Sequence, residues 1–391
     1  MTNDAAPVTV ISSIGDPRDR RTWSTTPSEI LAAMERSGIA VRTHAIATPR
    51  PLGYVYLAGN MLSGYGRLQP NRVGLWSSHL RRSASRLIAG APSGTFLHFG
   101  SDHLPLSGTR PGQRHFLVTD YSIHLLMTQG VLGEKAPRRY RDAVLSAEKA
   151  IAAQMEAIFT VSRYVADDWR TTYALGAEKV VPIGTGLGNP LTLEGAAKDY
   201  RGGHLLFVAK HSFDIKGGPL LVQGFLEALK SRPDLRLVVI ADAGDPTLAP
   251  WLPTMQTHPS IDFRQSGTPD FVDLMRRAIL FVGPAEREPW GLVYLECLMC
   301  ETPILGLDRN AMRELSDEGR VGFIVEEASA AAVGRAIVDA VSDPERLARM
   351  GRSGREFVEA GFTWDQVAAR MLRRMGLDCG PADAAPSRPA D

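Results

Sequence analysis

Cysteine is scarce: three residues in a chain of 391, too few for a disulfide framework. Cys297 and Cys300 have C-x-x-C spacing, but no second pair or histidine cluster lies near them in the sequence. They read as small packing residues of a helix. No apolar run approaches the length of a membrane span, and Met1-Thr-Asn-Asp lacks the basic-then-apolar order of a secretion signal. The expected setting is cytoplasmic, without a transmembrane segment; peripheral membrane contact stays open. Net charge is almost absent too, 44 Lys and Arg against 43 Asp and Glu. A balance of +1 gives no global field to recruit nucleic acid, and no nucleic-acid partner is expected. Runs such as Arg18-Asp19-Arg20-Arg21 and Arg138-Arg139-Tyr140-Arg141 read as solvated faces.

Two chemical signatures are also missing. Asp242-Ala-Gly-Asp245 is not a D-x-D metal motif, and none ends a strand elsewhere, so no metal site is expected. Gly184-Thr-Gly186-Leu-Gly188 is not a dinucleotide fingerprint, since Asn189-Pro190 follows where a helix should begin. Gly15-Asp-Pro-Arg after the first strand is not one either, which argues against a nicotinamide-dependent dehydrogenase.

What is present is an α/β alternation long enough for two domains. Val8-Thr-Val-Ile-Ser-Ser reads as a strand, Ser28 to Ser37 as a helix and Ile39 to His44 as the next strand. The loop between the first two, Gly15 to Pro27, is longer than a connection needs and marks a functional position. Gly15, Asp16, Trp23, Ser24 and Thr25 on it either contact substrate or cap and pack the loop. Strands are expected at Thr95 to Phe99, Arg114 to Thr119 and Ala157 to Ser162, and helices at Trp76 to Ile88 and Glu148 to Glu156. Asp120 is the first residue past its strand, where active-site groups of doubly wound sheets stand. His124 follows on a helix as either a ligand group or a packing histidine. The polar, breaker-rich stretch 189–203 reads as a linker. The pattern then restarts with the strand Leu205 to Lys210. The expected division is 1–195, 204–360, a last helix within 361–376 and a disordered tail over 377–391.

The chain is organised around Glu288-Pro289-Trp290-Gly291-Leu292-Val293-Tyr294-Leu295-Glu296. The apolar run Ala278 to Val282, closed by Gly283-Pro284, reads as a buried parallel strand, and Gly291 to Met299 as a helix. Free amides near Gly291, Leu292 and Val293 would form a positive helix end suited to a phosphate. Glu288 in the loop and Glu296 about two turns into the helix would repel that phosphate, so they should accept hydrogen bonds from neutral hydroxyls. A phosphate flanked by hydroxyls describes a sugar nucleotide, with Glu288 on the sugar and Glu296 on the ribose. Lys210 and Lys216 bracket a strand-to-helix loop and can converge on the same anion.

These residues resemble the retaining GT-B glycosyltransferases of the GT4-like group. Their E-x-F/W-G-(I/L)-V-x-x-E signature is matched by Glu288, Trp290, Gly291, Leu292, Val293 and Glu296, then Thr302-Pro303-Ile304-Leu305. Cys297, Cys300 and Glu301 depart from it. The resemblance implies a GT-B fold: two Rossmann-like α/β domains facing across a cleft, with the helix after Phe362-Thr-Trp364 crossing back to the first. It implies a metal-independent retaining hexosyltransferase that uses a nucleotide-diphosphate sugar, UDP or GDP ahead of ADP, as substrate rather than a bound cofactor. Lys210, Lys216, Trp290 and the amides at Gly291 to Val293 would bind the donor, with Gly267 and Thr268 beside the base. Asp120 and Glu288 would act on the transferred sugar, and the Gly15 to Pro27 loop, His124 and Ser162 would face donor or acceptor. The acceptor would be a small molecule, a lipid or a glycan; oligomeric state is left open. A sugar phosphorylase or sugar-phosphate synthase shares this machinery, and a non-catalytic carbohydrate-binding protein is the alternative of another class.

Overall fold

The computed structural model describes residues 7–48, 51, 53–55, 58, 74–91, 93–130, 137–187 and 198–377. The expected tail, most of the 189–203 linker and much of 50–92 lie outside the described residues. The chain divides into two compact units, broken between Gly186 and Leu187 and again between Thr363 and Trp364.

In the first unit run β1 (Val8–Ser12), α1 (Thr26–Arg36), β2 (Val41–Ala45), α2 (Gly74–Ala89), β3 (Gly94–Phe99), β4 (Gln113–Thr119), α3 (Ile123–Thr128), α4 (Arg138–Gln154), β5 (Ala157–Thr160), α5 (Arg163–Tyr173) and β6 (Val180–Pro182). All pairings are parallel, in the order β2-β1-β3-β4-β5-β6. Leu97, Phe99, Phe116 and Phe159 cover one face of the sheet together with Ile30 and Met34 of α1. α4 starts ten residues before the expected Glu148, because its first turns are charged and held outward by an Arg138–Asp142 pair at 3.6 Å. That face hid the helical period.

The second unit contains β7 (His204–Ala209), α6 (Gly218–Leu229), β8 (Leu237–Ala241), α7 (Leu252–Thr257), β9 (Ile261–Gln265), α8 (Phe271–Arg277), β10 (Ala278–Val282), α9 (Leu292–Met299), β11 (Ile304–Leu307), α10 (Met312–Leu315), β12 (Gly322–Val325), α11 (Ala330–Ser342) and α12 (Pro344–Gly361). Its strands are parallel in the order β12-β11-β10-β7-β8-β9. β8 and β10 are buried along their whole length, as strands covered on both faces must be. α6 and α11 approach closely through Gly224 and Gly334: a Cβ on Gly224 would stand 2.7 Å from Val333. Ser329 caps α11 as expected, accepting from the Ala332 amide at 3.2 Å.

The last helix, α13 (Trp364–Met375), belongs to the first unit. Trp364, Val367, Ala368, Met371, Leu372 and Met375 are buried in the core under α1. Burial of six such side chains stabilises by about 10 kcal/mol, an upper figure for apolar transfer. Arg370 fixes its place by donating to the Ile183 carbonyl at 2.6 Å.

Strand order reverses between β1 and β3 in the first sheet and between β7 and β10 in the second. Doubly wound sheets bind ligands at the carboxyl ends of strands flanking such a switch point. That rule points to the loops after β7 and β10, and to those after β1 and β3.

Candidate active site

In the second unit the two exit loops are fastened together. The Glu286 amide, after β10, donates to the Ile215 carbonyl, after β7, at 3.0 Å. Gly217 has φ +81°, and a Cβ there would stand 2.0 Å from the Pro284 carbonyl oxygen, so only glycine permits this approach. Lys216 Nζ donates to Glu288 Oε2. The carboxylate is 12% exposed and the lysine 35%. This is a correction to the expectation that Glu288 meets only neutral hydroxyls: an ammonium already sits on it, which cancels its repulsion of a nearby anion. The two lysines have different partners. Lys210 Nζ lies over the Phe271 ring, 5.7 Å from its centroid, beside the turn at Gly267 and Thr268. Thr268 Oγ1 donates to Asp270, and Gly267 has φ +89°.

α9 begins at the switch point because Gly291 caps it with φ +100° and ψ 92°. A Cβ on Gly291 would meet the Tyr294 ring at 2.6 Å and the Glu288 carboxyl carbon at 3.2 Å. Leu292 and Val293 then present first-turn amides that lack intrahelical carbonyls. The Tyr294 hydroxyl donates to the Gly283 carbonyl at 2.7 Å, and its ring meets Phe281 edge-on at 4.9 Å. That pins the helix start to the end of β10. Glu296 is the fifth residue of α9, little more than one turn in, and is buried at 6% exposure. Trp290 differs from its expected donor-binding role. Its ring is 2% exposed and packs on Phe362 at 5.3 Å, so it anchors the loop from behind. Cys297 and Cys300 are buried, and burial pushes the Cys300 thiol up to about 11, the state of inert packing thiols.

Glu301 takes the left-handed turn after α9 with φ +54°, where the resembled pattern has glycine. The Thr302 amide closes it onto the Cys297 carbonyl at 2.9 Å. The turn is kept at the cost of a strained glutamate.

In the first unit a cavity of about 370 Å³ opens at the carboxyl ends of β1, β3 and β4. Trp23, Asp102, Asp120 and Tyr121 are among its walls. The Trp23 indole Nε1–H donates to Asp120 Oδ2 at 2.9 Å. Trp23, Ser24 and Thr25 all have positive φ, 43°, 51° and 69°. Three consecutive non-glycine residues there cost on the order of 1–3 kcal/mol each and mark a built site. Gly15 and Asp16 are turn formers in the same loop: the Gly15 carbonyl accepts from Ser12 Oγ at 2.7 Å, and the Asp16 carboxylate accepts from the Arg18 amide at 2.9 Å.

His124 and Ser162 do other work. His124 Nδ1 lies 2.7 Å from Asp168 Oδ1, and Ser122 Oγ donates to the same carboxylate. Glu148 accepts from the Ile123 amide at 2.8 Å, so α3 is clamped to α4 and α5 by polar groups. Leu126 of the same short helix lines the cavity, whereas His124 faces α5. Ser162 is fully buried and caps α5, accepting from the Val165 amide at 3.2 Å. Its expected ligand role is corrected to a structural one.

Ser101 and Asp102 were missed by the sequence reading. They follow the strand ending at Phe99, and the strand-end rule that selected Asp120 would have selected them as well. A chain of histidines was missed too. His103 Nδ1 lies 2.9 Å from Ser13 Oγ, His98 joins His103 at 2.8 Å, and His115 joins His98 at 3.1 Å. Burial keeps all three neutral: His98 well below its ordinary value, His103 near 3 and His115 near 4. His115 Nε2 is buried without a partner among the described residues. An orphaned acceptor is tolerated better than an orphaned N–H, which favours His115 donating from Nδ1 and each imidazole passing its proton direction on toward Ser13.

Residues 205–357 match the family model for glycosyl transferases group 1. The match spans the second unit's switch point, with both lysines and both glutamates inside it. The alpha-maltose-1-phosphate synthase of Mycolicibacterium smegmatis is 32% identical over 106 residues, 26% of this chain and 27% of that protein. The D-inositol 3-phosphate glycosyltransferase of Gordonia bronchialis is 34% identical over 100 residues, 26% of this chain and 22% of its own. The chain thus spans about a quarter of the length of these curated relatives. Among solved structures, sucrose-phosphate synthase from Thermosynechococcus elongatus aligns over 95% of this chain and 98% of its own, with a TM-score of 0.65 at 15% identity. The fold is GT-B, built on two parallel six-stranded sheets.

Proposed function

We propose that the chain is a glycosyltransferase that moves a sugar from a nucleotide-diphosphate donor to an acceptor hydroxyl. The observation that carries this reading is the meeting of Lys216 and Glu288 at the β7/β10 switch point, beside the first-turn amides of α9, inside the matched family region. The diphosphate lies against the Leu292 and Val293 amides and Lys216, which take up the charge that grows on the departing phosphate. Lys210, beside Phe271 and the Gly267 turn, serves the nucleoside side of the donor. Glu288, held by Lys216, orients the transferred sugar, and Glu296 grips the ribose. Asp120, fixed by Trp23, sits in the first unit's cavity, where the acceptor binds.

The reaction breaks the bond from the anomeric carbon to phosphate and forms one from that carbon to the acceptor oxygen. For retention, attack comes on the same face, and the leaving phosphate oxygen takes the acceptor proton, so no separate base is required. Charge neutralisation by lysines and helix amides supports a metal-independent mechanism, with UDP or GDP as the carrier ahead of ADP. A sugar-phosphate synthase is the second reading, favoured by the similarity to the alpha-maltose-1-phosphate synthase. A thermal-shift panel of UDP-, GDP- and ADP-sugars, followed by NMR of the product's anomeric proton, tests the proposal. Stabilisation by one nucleotide class and an unchanged anomeric configuration are expected; indifference to every nucleotide would overturn it.

A further inference from the structure

In the second unit a niche lies between the exit loops of β10 and β11, on the side of β10 away from β7. It measures about 10 Å³ and is lined by Glu288, Tyr294, Arg309 and Asn310, with Leu307 and Met312 among its apolar walls. That is room for about one water-sized group. The walls are held in place. The Tyr294 hydroxyl is committed to Gly283, Asn310 Nδ2 donates to the Glu286 carbonyl at 3.0 Å, and a Cβ on Gly306 would stand 2.6 Å from Met312 Sδ. Two polar groups keep unspent hydrogen-bonding capacity. Lys216 engages Oε2 of Glu288, and Oε1 has no hydrogen-bond partner among the described residues. Arg309 donates through Nη1 to Glu286 Oε2 and makes no other side-chain hydrogen bond among the described residues. Asp308, its neighbour in the chain, is taken by Arg313.

We propose that the niche holds one hydroxyl of the transferred sugar, with Arg309 as a sugar-binding residue and Glu286 as the residue that positions it. A hydroxyl donates one hydrogen bond and accepts others. It can give its proton to Glu288 Oε1 and accept from the Arg309 guanidinium, and both bonds are charge-assisted. A deoxy position leaves the carboxylate oxygen and the guanidinium without that partner, whereas an O-methyl or acylamino group exceeds the space. Glu286 and Arg309 are 47% and 43% exposed, and an ion pair that exposed adds little to stability. Its use is directional. Glu286 stands two residues before Glu288, with its amide fastened to the Ile215 carbonyl and its own carbonyl to Asn310. Its carboxylate is therefore a fixed point from which to aim the guanidinium. The inference rests on the glycosyltransferase reading in calling the ligand a sugar, and adds to it the requirement for a free hydroxyl on that sugar.

The test is calorimetric titration of UDP, UDP-glucose, GDP and GDP-mannose into the full chain. Arg309→Ala should weaken the nucleotide sugar by about ten-fold or more, the scale of one hydrogen bond to a charged group, and leave the bare nucleoside diphosphate unchanged. Glu286→Gln should lose part of that factor. Glu286→Gln with Arg309→Ala should lose no more than Arg309→Ala alone, because Glu286 acts only through Arg309. Monodeoxy analogues of the tighter-binding nucleotide sugar supply a readout on the unaltered chain, which needs no variant to fold. One analogue should bind about ten-fold more weakly than its parent and lose nothing further on Arg309→Ala. Equal losses for nucleotide and nucleotide sugar, no loss for either, additive losses in the double variant, or analogues that all bind alike would overturn the proposal. If the unaltered chain binds no nucleotide at all, the glycosyltransferase reading fails and the inference falls with it. Nucleotide binding kept, with sugar affinity indifferent to Arg309, defeats the inference alone.

Discussion

Lys216 and Glu288 share a proton-bearing contact, so each sets the charge the other presents to a ligand. Lys216→Ala removes a charge-assisted donor of about 1.5–3 kcal/mol and exposes the anion behind it. Nucleoside diphosphate affinity should fall by about ten-fold or more, read by calorimetry. Glu288→Ala should do the opposite of a binding lesion: nucleotide affinity is kept while kcat drops by about 100-fold or more, the scale of losing one transition-state contact. Gly217→Ala tests the loop junction itself. With φ +81° and a Cβ 2.0 Å from the Pro284 oxygen, the two loops must separate, and nucleotide affinity should fall without any change of charge. At this scale the sequence put Lys216, Gly217, Glu288 and Gly291 on the two loops that meet at the switch point, because each stands just past a strand end. It did not announce how they pair. Trp290 looked like a ligand contact because nothing in its local sequence revealed that Phe362 covers its ring.

Elements carry a different class of constraint. α9 starts where it does because Gly291 tolerates a positive φ and Tyr294 ties the first turn to Gly283. Both residues stand in the motif, so the helix was legible from sequence almost to the residue. Its end at Met299 was legible as well, but the turn beyond it was not, since a glutamate at φ +54° breaks the usual preference and is held by distant groups. The Tyr200 hydroxyl donates to the Glu301 carbonyl, and Arg355 lies 3.7 Å from its carboxylate. The histidine chain linking β1's exit loop, β3 and β4 was equally invisible, because alternation within each strand says nothing of which histidines meet across strands. It has a measurable consequence. Unfolded histidines titrate near 6.5, whereas the folded chain keeps these three neutral down to lower pH. Their contribution is therefore intact above about pH 6.5 and lost as pH falls toward about 4, where the unfolded state takes up protons that the folded state refuses. Urea unfolding of the first unit should weaken by about 1.4 kcal/mol per pH unit for each histidine involved. His115→Phe should remove one proton from that slope.

The described residues form two parallel sheets, and the core under the first takes in α13, which follows the second unit in the sequence. Met371 of α13 is fully buried between α1 and the sheet. Met371→Ala should destabilise the first unit by about 2–5 kcal/mol and leave nucleotide binding by the second unit unchanged, as read by paired thermal and calorimetric scans. The doubling of the α/β pattern was legible because each unit restarts with an apolar strand, a loop and a helix. The assignment of α13 came from family resemblance, since its amphipathic face alone does not say which core it joins. The central claim is that the second unit's β7/β10 switch point holds a nucleotide diphosphate. Isothermal titration of UDP and GDP into the unaltered chain and the Lys216→Ala variant tests it most directly. Saturable binding to the unaltered chain, weakened about ten-fold or more in the variant, is the predicted result; equal affinity in both proteins, or no binding to either, would contradict it.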